Sequence, residues 1–183
     1  MIMNEKEIIE KIKNNDLEAF EMIVDNYSKR LFTTIYRFTH NYEDTEDIIQ
    51  EVWIKFYKNI SKFRFQSSLY TFLYRIAVNA SIKWLKKRER IEKLRQLIPF
   101  NKLLYTPDNA MEEVIRDEEI KKLKQGIDTL PKKQKAVFIL RNQDKMSFKE
   151  IAQTLGINEN SAKVTYHYAI KRLKIFLKEE EML

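Results

Sequence analysis

Cysteine is absent from this sequence, which excludes disulfides, thiolate metal sites and cysteine nucleophiles and is compatible with a reducing compartment. Glycine and proline are nearly as scarce, with two and three residues in 183, so the chain is starved of the tight turns and bulges that β-structure needs. Long stretches rich in Lys, Glu, Leu and Ile favour helix instead, and the expected fold class is all-α. Long apolar runs are missing too. The N-terminal MIMNEKEIIEKIKNN has no apolar core of signal-peptide length, and no segment approaches the roughly 20 apolar residues that span a bilayer. The chain is therefore expected to be neither exported nor membrane-embedded, with the cytoplasm as its location. Histidine is limited to His40 and His167. No HExxH pattern and no Gly-rich phosphate loop occurs, so a metal, a cofactor, a small-molecule substrate and catalysis are all unexpected.

Hydrophobic residues make up 44% of the chain, enough to fill a core. The formal charge is +7 and the pI about 9.3, which attracts polyanions. Its distribution says more than its sum. Acids crowd residues 43–51 (Glu43, Asp44, Glu46, Asp47, Glu51), whereas Lys83, Lys86, Lys87, Arg88, Arg90, Lys93 and Arg95 outnumber the nearby Glu89 and Glu92. Two faces of opposite sign suggest two different partners.

Along the chain, Asn4 and Glu7 form a plausible capping box for a short first helix. Asp16 can cap a longer one whose Leu17, Phe20, Val24, Tyr27, Leu31, Ile35 and Phe38 recur at helical spacing as a core stripe. Asn41 with Asp44 restarts a helix with Ile48, Ile49, Val52, Phe56 and Tyr57 inward and Asp44, Asp47, Gln50 and Glu51 on its polar side. The segment SKFRFQSS (61–68) reads as a loop, after which Ser67 or Ser68 caps a helix through Leu69, Phe72, Leu73, Ile76, Ala77 and Ala80 into the basic stretch. Periodicity fades from about residue 95 to 114, around Pro99 and Pro107. The chain is accordingly expected to hold two small helical domains, 1–94 and 115–183, joined by a linker over 95–114.

In the second domain, a helix from about Asp117 to Gly126 is followed by Pro131, placed in the first turn of a helix carrying Val137, Phe138 and Leu140. Ser147 with Glu150 forms a capping box, SFKEIAQTLG runs to Gly156, and Asn158 can cap a further helix. Ala152 and Gly156 lie four apart, with Ile151, Leu155, Ile157 and Ala162 around them. A helix-turn-helix needs a small residue where its helices touch and a glycine where the turn demands positive φ. A plain helical hairpin with a glycine cap shares part of this pattern, but the full set of spacings favours DNA binding. The second helix of such a motif enters the major groove, and with Ala162, Tyr166 and Ala169 inward it presents Asn160, Ser161, Lys163, Val164 and His167. Lys149, Lys171 and Arg172 suit phosphates.

The run NYEDTEDIIQEVWIKFYKNISKFRFQSSLYTFLYRIAVNASIKWLKKRER (41–90) resembles region 2 of bacterial RNA polymerase sigma factors of the extracytoplasmic-function group. The run DTLPKKQKAVFILRNQDKMSFKEIAQTLGINENSAKVTYHYAIKRL (128–173) resembles region 4 of the same group. The resemblance implies that Asp44, Asp47, Gln50 and Glu51 form the face that docks on the clamp coiled coil of the β′ subunit. It implies further that the loop before the basic helix, with that helix's first turns, captures minus-10 DNA and holds an extruded base. Asn79, in RIAVN, matches a family position near that pocket; Phe63, Arg64, Phe65 and Tyr70 lie on or beside the loop, where the aromatics suit stacking on unpaired bases, and Lys83, Lys86, Lys87 and Arg88 suit phosphates. Residues alone favour a plainer reading of this segment, in which Asn79 satisfies backbone groups and the aromatics are core. The implied partners are bacterial core RNA polymerase, through its β′ clamp and β subunit, promoter DNA and an anti-sigma factor.

The chain departs from the family pattern in two places. Phe65 stands where many members have Gly after Phe-Arg, with Gln66 where an acid is common, and Thr165 and Tyr168 hold positions often occupied by Arg. Two rival functions differ in kind. A metal-dependent enzyme built on the acidic cluster lacks a nucleophile beside its carboxylates. A stand-alone dimeric regulator is the alternative, and would bind a palindromic operator without polymerase.

Overall fold

In the computed structural model, residues 5–97 and 118–180 are described, and among them every regular element is helical. The chain divides into two compact units, Met1–Leu85 with Gln153–Leu155, and Lys86–Ala152 with Gly156–Leu183. The expected linker, 95–114, falls outside the described residues except for 95–97, which belong to a helix.

The first unit begins with α1 (Glu5–Lys13), which buries Ile8, Ile9 and Ile12; Asn4 of the expected capping box lies outside the described residues. Asp16 starts α2 (Leu17–Thr39) by accepting a hydrogen bond from the Ala19 amide at 3.0 Å. The helix then buries Ala19, Ile23, Leu31, Thr34, Ile35 and Phe38. The expected stripe holds from Leu31 onward but not at the start, where Leu17 is 63% exposed and Ala19 and Ile23 take the inward positions. His40, in the left-handed region at φ 50°, closes α2 with its N–H on the Tyr36 carbonyl. Asn41 then accepts from the Asp44 amide to open α3 (Tyr42–Asn59). The corner between α2 and α3 is held inside by hydroxyls, with Thr39 and Thr45 at 2.7 Å from each other and Thr45 donating to the Asn41 carbonyl.

α3 packs along α2 through Ile48, Val52 and Phe56; Tyr57, expected inward, is 36% exposed and its hydroxyl donates to Asn15. A 3-10 turn (Ile60–Lys62) leads into the loop, and Ser68 caps α4 (Leu69–Leu97) by accepting from the Thr71 amide. α4 contributes Leu69, Leu73, Tyr74, Ala77 and Val78 to the core. Each such fully buried large apolar side chain stabilises the unit by roughly 1.5–3 kcal/mol before entropy is counted.

In the second unit, α5 (Glu118–Thr129) and α6 (Lys132–Asn142) pack against α8 (Glu159–Glu180), with α7 (Phe148–Leu155) between α6 and α8 in sequence. Ile127, Leu130, Phe138, Ala169 and Leu173 form one apolar cluster. α5 does not stop at Gly126 as the sequence suggested, and its expected first residue, Asp117, lies outside the described residues. Gly126 sits inside the helix because a Cβ there would come within 2.9 Å of Phe176 and 3.1 Å of Leu173. Pro131 takes the cap position just before α6 rather than its first turn, and its carbonyl accepts from the Lys135 amide. Lys135 itself is buried, its ammonium 2.6 Å from Asp128.

Candidate nucleic-acid interface

The geometry of α7 and α8 is set by three local devices. Ser147 accepts from the Glu150 amide while Glu150 accepts from the Ser147 amide at 2.7 Å, a complete capping box. The Ser147 hydroxyl also donates to the Glu150 carboxylate at 2.7 Å, and this bond first, then the one from the Ser147 amide, holds the Glu150 carboxyl below its ordinary value. Gly156 then turns the chain at φ 67°, and nothing lies within 4 Å of where its Cβ would be, so glycine is required by the backbone angle and not by crowding. Asn158 accepts from the Ser161 amide at 2.7 Å and opens α8.

The roll of α8 about its axis is fixed by Ala162 and Ala169, both fully buried, and by Tyr166, whose hydroxyl donates to Asn142 and whose ring meets Phe138 and Phe148. Phe148 is covered in turn by the Arg141 guanidinium at 4.7 Å. With that side inward, Asn160, Lys163, Val164 and His167 are exposed and Ser161 is half-buried. Lys149, Lys171 and Arg172 are exposed as well. Lys163 is paired with Glu159 at 2.8 Å, one turn earlier on the same face.

On α4, Asn79, Lys83, Lys86, Lys87 and Arg88 are all exposed, and Asn79, Lys83 and Lys87 recur every fourth residue, which places them on one face. The loop is more divided. Arg64 and Phe65 are exposed, but Phe63 is only 6% exposed, its ring 5.0 Å from Phe72 and from Phe65. The expectation that Phe63 stacks on a base is therefore corrected: its ring is spent anchoring the loop to α4. Tyr70 is half-buried against Tyr74 at 4.2 Å. Phe65 adopts φ 56°, the left-handed region, at a cost of about 1–2 kcal/mol for a residue with a side chain. That angle is one that glycine adopts without this cost.

On α3, Asp47 and Gln50 are exposed, whereas the other two predicted residues are engaged within the chain. Asp44 accepts a hydrogen bond from the Trp84 indole at 3.0 Å. Glu51 is paired with Lys55 at 2.5 Å, and this hydrogen bond lowers its pKa from the ordinary value. The open part of the face is thus narrower than the acidic run implied.

Two family models match in the order of the two units: Sigma-70 region 2 over residues 23–91 and Sigma-70, region 4 over residues 120–173. The chain belongs to the sigma-70 family. It is 29% identical to the ECF RNA polymerase sigma factor SigW of Bacillus subtilis over 98% of this chain and 100% of that protein. To the RNA polymerase sigma-H factor of Pseudomonas aeruginosa it is 28% identical, over 82% of each. The structure of the sigma factor RpoE from Bartonella quintana, solved with the anti-sigma factor NepR, superposes with a TM-score of 0.64 at 19% identity, covering 87% of this chain and 96% of that one. This protein is a sigma factor of the extracytoplasmic-function type, which directs RNA polymerase to promoters, and such factors are regulatory subunits.

Two features of the sigma factor's surface escaped the sequence reading. Ile54 is 56% exposed one turn beyond Gln50, an apolar residue at the end of the acidic face, and its place seven residues after Asp47 is the signal that marks it. Lys6 and Lys13 of α1 lie against Phe65, and nothing in the sequence pairs them with the loop. Among the described residues no cluster of His, Asp and Glu suits a metal ion, and no helix is long and apolar enough to cross a membrane.

Proposed function

We propose that this sigma factor divides its work among three surfaces. Asp47 and Gln50, with Ile54 at the edge, form the part of α3 that docks on the β′ clamp of core polymerase; a carboxylate-bearing face on a protein of net charge +7 repels DNA and suits a basic protein surface. Asn79, Lys83, Lys86, Lys87 and Arg88 of α4, with Arg64 and Phe65 of the loop and Tyr70 beside it, take the minus-10 strand as the duplex opens. Asn160, Ser161, Lys163, Val164 and His167 read minus-35 base edges, while Lys149, Lys171 and Arg172 hold phosphates. The domains that carry these surfaces run over 1–94 and 115–183, the β subunit is a further polymerase contact, and the sigma factor acts in the cytoplasm without catalysis of its own. An anti-sigma factor belongs to the same reading, since the fold is shared with RpoE, whose structure was solved with one.

The observation that carries the reading is the exposed row of α8 side chains behind a capped, glycine-turned helix pair, in a chain whose other unit matches region 2. The deciding experiment is competition for bacterial core RNA polymerase against the housekeeping sigma factor. Displacement is expected. A folded protein that fails to bind core polymerase but binds a palindromic duplex tightly would replace this reading with that of a stand-alone regulator.

A further inference from the structure

α1 precedes the region 2 match, which begins at residue 23, and the surfaces proposed above give it no task beyond covering the core. Its polar side is nevertheless brought onto the loop before α4. α1 packs against the 3-10 turn, and the ammonium groups of Lys6 and Lys13 lie 5.8 and 5.2 Å from the centroid of the Phe65 ring. Lys6 and Lys13 are two helical turns apart and so project from the same face of α1. The ring they approach is 37% exposed, presented by a left-handed backbone and backed at 5.0 Å by Phe63. Lys13 also meets Glu10 at 2.8 Å, an exposed pair that exchanges easily.

We propose that α1 is part of the single-strand site: a base of the non-template strand stacks on Phe65, and Lys6 and Lys13 leave the ring for the two phosphates that flank that base. The inference rests on the loop reading given under Proposed function. An exposed aromatic ring with cations beside it holds an unpaired nucleotide without needing its sequence, because every base has a π face and every nucleotide a phosphate. Before the strand arrives, the two ammonium groups offset the exposure of the ring through cation–π attraction and hold the left-handed loop in the shape the strand meets. Strand entry exchanges one favourable contact of each lysine for another.

The test uses holoenzyme assembled from core polymerase and the full chain, titrated with a short fluorescent oligodeoxythymidine over a range of salt concentrations. The Lys6→Gln/Lys13→Gln variant is expected to bind on the order of tenfold more weakly at about 0.1 M salt, with a slope of log K against log salt reduced by about 1.4, or about 0.7 per lost phosphate contact. The Lys6→Arg/Lys13→Arg variant restores both quantities, which a role in packing alone would not require. Unchanged affinity for core polymerase shows that the variant is folded; should that affinity fall, the single Lys6→Gln variant is read instead, with a slope change of about 0.7. An unchanged slope with wild-type binding intact overturns the inference and leaves the loop reading standing. No oligonucleotide binding by wild-type holoenzyme above that of core polymerase alone overturns the loop reading itself.

Discussion

The two DNA-facing regions of this sigma factor are built on opposite plans. In α7 and α8 the backbone is fixed by hydrogen bonds between residues three or four apart, and the side chains offered outward are, apart from Val164, polar. In the loop and α4 the aromatic residues are divided between anchoring and display. Phe63 is buried, Phe65 is exposed on a left-handed backbone, and lysines from α1 lie over it. A duplex presents a regular groove, which a rigid helix can match in advance. An unpaired base offers its π face, on which an exposed ring such as Phe65 can stack.

The largest effect that would sharpen this contrast lies outside both regions. Asp47→Arg reverses charge on the open part of α3 and is expected to weaken core polymerase binding by at least about 2 kcal/mol, roughly thirtyfold, with the minus-35 duplex affinity of the protein unchanged. Equilibrium competition for core polymerase together with a duplex titration checks it. Retained core affinity would assign docking to another face.

Next in size is the turn of the helix-turn-helix. Gly156→Ala meets no steric obstacle but forces a side chain into φ 67°, so a loss of about 1–2 kcal/mol is expected in chemical denaturation of the second unit. Gly126→Ala probes the opposite cause, since its Cβ collides with Phe176 and Leu173; overpacking of about 1–3 kcal/mol is there offset in part by a helix-propensity gain of about 1 kcal/mol. Equal costs that do not respond to truncating Phe176 would contradict the separation of the two glycines into angle and space.

Ser147→Ala removes the box that starts α7, at a cost of about 1 kcal/mol near neutral pH. Because the Glu150 pKa is lowered in the folded state, the stability it contributes is present above the ordinary carboxylate value of 4.5 and is lost as the pH falls through the lowered one. The difference between wild type and Ser147→Ala is therefore expected to shrink in acid, as followed by denaturation from pH 7 downward. A gap that widens in acid would show that Glu150 is not the partner that matters.

The smallest expected effects compare the two regions directly. Lys163→Ala is expected to weaken duplex binding a few-fold and lower its salt slope by about 0.9, while leaving single-strand binding untouched; Lys83→Ala is expected to lower the single-strand slope by about 0.7 instead. If either variant affects both substrates alike, the division of labour fails.

The same contrast explains what could be read from the sequence. Ser147, Glu150, Gly156 and Asn158 act on backbone groups within three or four residues of themselves, so their spacing alone announced the turn and the exposed face of α8. That Asp44 is engaged by Trp84 could not be read from the sequence, because the two lie 40 residues apart. Phe63 and Phe65 are near-neighbours of the same type, and only the packing of Phe72 separates the buried ring from the exposed one. Leu17 carries the right period but falls in the first turn of α2, where Ala19 and Ile23 already fill the inward side. Helical periodicity found the elements, but the roles of these residues are assigned by tertiary neighbours that a period does not contain.

The pairing of Glu159 with Lys163 at the entrance of α8 has a kinetic side. A lysine already held by a carboxylate does not seize the first phosphate it encounters; DNA has to displace the acid, and only a site that supplies further contacts along the helix compensates for the exchange. On the proposed reading of Lys163 as a minus-35 contact, Glu159→Gln is expected to raise affinity for non-matching duplex more than for promoter duplex, as parallel titrations would check.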